Sequence, residues 1–284
     1  MIDLEGMYDL HIHPAPSLQK RRFTGLEAVK LASKEKMAGV LFLDHTYNTT
    51  TMAHTINEMN FRTKAFGTIM LNEAVGGLNP SVVEIALRLG TKQIQMPTYS
   101  SKAHRDAYGD DQKIFPYKKR MKPIYILDDH GRLVPEVEEI LELMRGSNSF
   151  LASGHLSPPE VEALVKRAKE VGCKVMACSV STDMPGYPIE AQKNWAGDHV
   201  FMEHDYLAIT DVPHKTTPVG VVLEQIRAVG AERCVIGTDA GQMALPDPVR
   251  ALKEFLSRLI EGGLTDKEID IMTRRNPGFL LGIS

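Results

Sequence analysis

The stretch SFLASGHLSPPEVEALVKRAKEVGCKVMACSV (residues 149–180) holds a strand, a helix and a second strand in succession. SFLASG is a short apolar run. Ser157 followed by Glu160 forms a capping box, and Gly172 supplies the helix stop. KVMACSV (174–180) is again short and apolar, the pattern of a strand covered on both faces. The same unit recurs along the chain. Further apolar runs are YDLHI (8–12), GVLFLD (39–44), AFGTIML (65–71), KQIQMP (92–97), HVFMEH (199–204) and RCVIGTD (233–239), which makes eight candidate strands. The segments between them carry helix punctuation. Asn79 and Pro80 open one helix that stops at Gly90, Thr217–Pro218 open another that ends at Gly230, and Thr265 with Glu268 repeats the capping box. Eight strand-then-helix units in 284 residues predict a single-domain α/β fold, the (β/α)8 TIM barrel. An open doubly wound sheet fits less well, because no Gly-rich phosphate fingerprint follows any strand.

One connection is longer than the others. KPIYILDDHGRLVP (122–135) reads as a hairpin turning at Asp129–Gly131, and PEVEEILELMRG reads as the helix after it. Residues 98–134 are therefore expected to form an insertion after the fourth strand, over the barrel mouth. His130, in the turn, is read as an ordinary loop residue.

Composition bounds the rest. Hydrophobic content of 43% and charged content of 24% are those of a globular chain, and a net charge of −3 does not advertise nucleic acid or an anionic membrane as partner. No stretch reaches 18 uninterrupted apolar residues, so a membrane span is not expected. The acidic start MIDLEGMYDLH runs into a strand and does not read as a signal peptide. Three cysteines, Cys173, Cys178 and Cys234, read as reduced, buried thiols, the usage of a cytoplasmic protein.

In a barrel the chemistry belongs at the C-terminal ends of the strands. YDLHIHPAP (8–16) places His11 and His13 two residues apart, on one face of a strand and about 6.6 Å apart along it, with Leu10 and Ile12 expected on the other face. The fifth strand runs into His155, the seventh ends in Glu203 and His204, and the eighth ends in Asp239. Histidines with an aspartate suit Zn2+ or another first-row divalent ion such as Mn2+, Fe2+ or Ni2+.

These pieces resemble the amidohydrolase superfamily of metal-dependent barrel hydrolases: DLHIHPAP on the first strand, GHLS after the fifth, GTDAG on the eighth, and NPGFLLGI near the C-terminus. The resemblance implies that His11, His13, His155 and Asp239 hold one metal and that Asp239 also takes the proton of the attacking water. Two departures stand out. The fourth strand, KQIQMPTYSSKAH, has no acid or lysine at its tip to bridge two metals, and the sixth offers Ser179 and Ser181 where many members carry a histidine. His204 or His104 is the candidate replacement. Phosphoesterases that also begin D-x-H-x-H fit less well, since they close with an Asp-x-His pair and Gly241 stands at that spacing after Asp239.

His45 and Asn72, in the loops after the second and third strands, are candidates to orient ligands or touch substrate, as is Glu203. Basic residues gather on the same face: QKRR (19–22, with Arg22), SKAHR (101–105) and YKKRMK (117–122). Such a collar would attract a substrate carboxylate or phosphate. The reading that fits best is a hydrolase of a small amide, lactone or ester, with a small-molecule substrate as partner and homo-oligomerisation left open. A non-hydrolytic metal lyase such as a decarboxylase, and a non-catalytic metal- or ligand-binding barrel, are the alternatives.

Overall fold

The computed structural model describes residues 2–109, 122–212 and 215–283. The eight apolar runs form the strands β1 (Tyr8–Ile12), β2 (Gly39–Phe42), β3 (Lys64–Met70), β4 (Gln93–Gln95), β5 (Phe150–Ala152), β6 (Lys174–Ala177), β7 (Val200–Asp205) and β8 (Cys234–Gly237). All are parallel and pair in sequence order. The ring closes where Ile12 bridges Ala240 and the His13 amide donates to the Ala240 carbonyl at 2.7 Å. This is the (β/α)8 barrel read from the sequence.

The helices are α1 (Gly25–Lys34), α2 (Thr50–Asn57), α3 (Pro80–Arg88), α4 (Lys102–Tyr108), α5 (Pro135–Met144), α6 (Pro158–Val171), α7 (Ile189–Trp195), α8 (Val219–Val229), α9 (Pro248–Glu261), α10 (Asp266–Asp270) and α11 (Asn276–Leu281). The caps form as their residue types dictate. Asn79 accepts from the Ser81 and Val82 amides, and the boxes Ser157–Glu160 and Thr265–Glu268 are both closed. The hairpin turns as expected, with a Leu127–Leu133 bridge and the Gly131 amide donating to the Asp128 carbonyl. Within the insertion, Ser101 bridges Ile124. Residues 110–121, which include Lys119 and most of the basic run expected at 117–122, lie outside the described residues, as does His214.

Strand alternation sorts the core into two layers. Leu41, Leu43, Met70, Phe150, Met176, Phe201 and Val235 fill the barrel, while Val40, Phe42, Leu151, Val175, Val200 and Met202 face the helices. The last helix plugs the N-terminal end: Leu280 and Leu281 join the inner layer. Asn276 ties it down by donating to the Ala231 and Cys234 carbonyls at 2.9 and 2.7 Å. Lys174 and Lys92 donate to the carbonyls of Leu280 and Leu281, placing cations at the negative end of α11.

β1 departs from the simple alternation. Its register with β2 shifts between Asp9 and Ile12. As a result Leu10 packs with Leu41 inside the barrel, while Ile12 packs outside, so they do not share the face expected of them. The buried Asp9 stabilises the irregularity. Its Oδ1 accepts from the His11 and Thr238 amides, both at 3.1 Å, and its Oδ2 accepts from the Thr238 hydroxyl at 2.6 Å. An amide left without its acceptor in such a place costs about 1–3 kcal/mol. The shift lets Leu10 support the barrel interior while His11, the next residue, also turns inward.

Candidate metal centre

His11, His13 and Asp239 meet at the closing seam of the barrel. His13 Nε2 lies 3.2 Å from Asp239 Oδ1 and His11 Nε2 lies 3.6 Å from the same oxygen. One ligand atom from each falls within 4.8 Å of the others. The chain makes room for them. A Cβ on Gly237 would sit 2.9 Å from Asp205 Oδ1 and 3.2 Å from Glu203 Oε1. At Gly241 a Cβ would run into the His13 carbonyl oxygen. Asp239 itself adopts a left-handed backbone, φ 50°, which costs a non-glycine residue energy and is typical of positions where function fixes the geometry.

The other side of His11 is acidic. Its Nδ1 stands 3.0 Å from Glu203 Oε2 and 3.7 Å from Asp205 Oδ1. A carboxylate only accepts, so Nδ1 carries a hydrogen for Glu203 and Nε2 is left to face Asp239 and His13. Burial opposes a charge on His11, yet Glu203, Asp239 and Asp205 together raise its pKa well above the imidazole range. Burial and the nearby Arg21 lower His13 to about 4. Burial would raise Asp239, but His11 and His13 hold it below the usual carboxylate range. Asp205 is pushed well up, by burial first and then by Glu203.

A cavity of about 320 Å3 opens above this cluster. His11, His13, His45, His104, His155 and Asp239 all line it. Aromatic rings form a continuous wall: His13 stacks on His45 with centroids 5.0 Å apart, and His45 on Tyr99 at 3.9 Å. His155, expected as a fourth ligand, lies on this wall but outside the group formed by His11, His13 and Asp239. Its Nδ1 instead stands 2.8 Å from His104 Nδ1, and burial lowers its pKa to about 4. His45 is held by Thr98 Oγ1, 2.9 Å from its Nδ1.

Four other expected site residues stand elsewhere. His204 alternates with Glu203 and so faces the helices, where its Nδ1 meets Ser181 Oγ at 2.7 Å and Ser181 in turn donates to Gln225 Oε1. It does not line the cavity and cannot stand in for a strand-six histidine. Glu203 is fully buried behind His11, touching that imidazole rather than the cavity. Asn72 ties loops together: it donates to the His45 carbonyl and Thr98 Oγ1 and accepts from the Thr98 and Ser100 amides. Arg22 is exposed and donates to the Met243 carbonyl, whereas its neighbour Arg21 lines the cavity. Asp9 and Asp205 were absent from the sequence reading. Asp205 was open to discovery, since it stands two residues after Glu203 and alternation puts both on the inner face.

The eight-stranded parallel barrel is a fold the chain shares with solved structures of hydrolases. Residues 6–203 match DUF6282, a family of unknown function, and the chain belongs to that family. An amidohydrolase from Pseudomonas aeruginosa superposes with a TM-score of 0.66 at 13% identity, over 98% of this chain and 95% of that one. A Pseudomonas putida protein assigned as a 2-pyrone-4,6-dicarboxylic acid hydrolase does so with a TM-score of 0.60 at 12% identity, over 100% and 99%. A triple variant of the organophosphorus hydrolase from Deinococcus radiodurans gives a TM-score of 0.60 at 12% identity, over 99% and 94%. No curated protein sequence matches the chain. Among the described residues, no helix is long and apolar enough to cross a membrane.

Proposed function

We propose that the protein is a metal-dependent hydrolase of the amidohydrolase superfamily that acts on a small amide, ester or lactone. The observation that carries this reading is the convergence of His11, His13 and Asp239 at the barrel seam, one ligand atom of each within 4.8 Å of the others, with His13 Nε2 and His11 Nε2 at 3.2 and 3.6 Å from Asp239 Oδ1. Two imidazoles and a carboxylate brought together in a buried place form a donor set for a cation, which would take the position of the extra His11 proton. The donor set of imidazoles and one carboxylate suits Zn2+ best, with Mn2+, Fe2+ or Ni2+ as alternatives. His11, His13 and Asp239 would hold the ion, and His155, on the adjoining wall and paired with His104, would have to turn toward them to serve as the fourth ligand. A divalent ion there supplies Lewis acidity, which makes water a nucleophile near neutral pH and polarises a carbonyl oxygen.

The chain's own residues supply the rest. Glu203 accepts the His11 Nδ1 hydrogen and so keeps Nε2 turned toward Asp239, the orienting arrangement that carboxylates give metal-binding imidazoles. Asp239 is ionised at neutral pH and lies beside His13, placed to take the proton of the attacking water and pass it to the leaving group. Burial lowers the pKa of His45 and of His155, so both rings offer lone pairs or N–H donors to a bound substrate without adding charge. The test is a panel of small amides, esters and lactones assayed with Zn2+-loaded and chelator-stripped protein. Turnover by the loaded form, lost on stripping and restored by metal, is expected. Turnover indifferent to metal would contradict the proposal, and release of CO2 from a carboxylic acid would move the assignment to the lyase reading.

A further inference from the structure

The cavity contains an unsatisfied cation. Among its described lining residues Arg21 is the sole lysine or arginine. Its Nη2 is buried and has no hydrogen-bond partner, while its Nε reaches only Ser17 Oγ, at 3.4 Å. Neither acid among the described lining residues neutralises it: Asp239 is engaged with His13 and Gln242, and Asp183 with Tyr108. A guanidinium nitrogen that has left water and found no acceptor is costly unless a ligand provides one. Arg21 is also close enough to His13, His45 and Tyr99 to act on all three electrostatically. It therefore stands beside the stacked wall of rings and near the proposed metal ligands. Among the described residues of the expected collar, Lys20, Arg22, Lys102, Arg105 and Lys122 do not line the cavity, and Arg22 is exposed and bonded to the Met243 carbonyl.

We propose that Arg21 is the anion-holding residue of the cavity and that the substrate is a small, flat carboxylic acid, held by its carboxylate while its amide, ester or lactone group lies at His13 and Asp239. This rests on the hydrolase reading for the reacting group, but the binding of the anion does not. A carboxylate matches the fork of one guanidinium in charge and shape. A phosphate dianion would call for a second lysine or arginine beside Arg21, and the described cavity lining offers none. The aromatic wall formed by His13, His45 and Tyr99 gives a planar acid a face to lie against.

The experiment is calorimetric titration with benzoate and its neutral isostere benzamide, using Zn2+-loaded and metal-stripped protein, wild type, Arg21→Met and Arg21→Lys. Benzoate is expected to bind wild type at least tenfold more tightly than benzamide in both metal states. Arg21→Met is expected to abolish that preference and Arg21→Lys to retain part of it, the loss being roughly ten- to a hundredfold for a charge-assisted contact. Thermal melts confirm that each variant is folded. Equal binding of the two probes, no binding of either, or a benzoate preference that survives Arg21→Met overturns the proposal. A preference that appears only with metal bound places the anion on the ion instead, and also overturns it. If the hydrolase reading alone fails, the substrate panel is silent while the Arg21-dependent preference for benzoate remains.

Discussion

Asp239→Asn is expected to keep a good part of the bound metal and to lose roughly 10²–10⁴-fold in kcat, the range for removing a general base. Asn preserves the shape and one ligating oxygen, and it can still accept from Gln242, which donates to Asp239 Oδ1 at 3.3 Å. What it lacks is the capacity to take a proton. The pH profile should report the same change. In the wild type, Asp239 and His13 must both be unprotonated, and their pKa values lie below the usual carboxylate range and at about 4. Activity should therefore fall as the pH drops into the acid range, and in Asp239→Asn the limb that remains should belong to His13 alone and lie at lower pH, because the Asp239 charge that raises the His13 pKa is gone. A variant that keeps metal and full turnover would remove Asp239 from the role of base.

Loss of a metal ligand should have the other large effect. His13→Ala is expected to weaken metal binding by more than about a hundredfold, beyond the 10–100-fold typical of losing an orienting partner. It should leave the barrel intact, since His13 Nδ1 has no hydrogen-bond partner and Asp239, which faces Nε2, keeps Gln242 and His11 beside it. His11→Ala should match it in metal affinity but also unfold more readily. Removing that imidazole leaves the fully buried Glu203 carboxylate without the one hydrogen-bond partner it has among the described residues, and breaking a buried charge-paired contact costs on the order of 3 kcal/mol. Metal titration together with chemical denaturation separates the two variants. If His13→Ala binds metal as the wild type does, the seam cluster is not the metal centre.

The strands could be read because each is a short apolar run between turn residues, and parallel strands covered on both faces have little other vocabulary. His11, His13 and Asp239 could be read because a barrel offers few places where a polar side chain meets the cavity. The β1 register shift could not be read. It depends on Asp9 bonding to Thr238, 229 residues away, and local alternation carries no trace of that contact. His204 was misplaced for the opposite reason. Alternation from Glu203 turns it toward the helices and Ser181, so side-chain direction, not residue type, decides its place. Arg21 and Arg22 are adjacent in a loop, where no periodicity tells which of the two enters the cavity. His155 meets His104 only because α4, part of the insertion, is pinned beside it, its N-cap Ser101 donating to the His155 carbonyl, and chain order is silent about that packing.

The central claim is that the barrel seam holds a catalytic metal, and elemental analysis of protein purified after growth with supplemented Zn2+ tests it most directly. The structure gathers one set of acceptors facing the cavity, so about one divalent ion per chain is expected in the wild type and almost none in a His13→Ala/Asp239→Ala double variant that remains folded. A wild type with no metal, or a double variant that retains the full complement, would contradict the account.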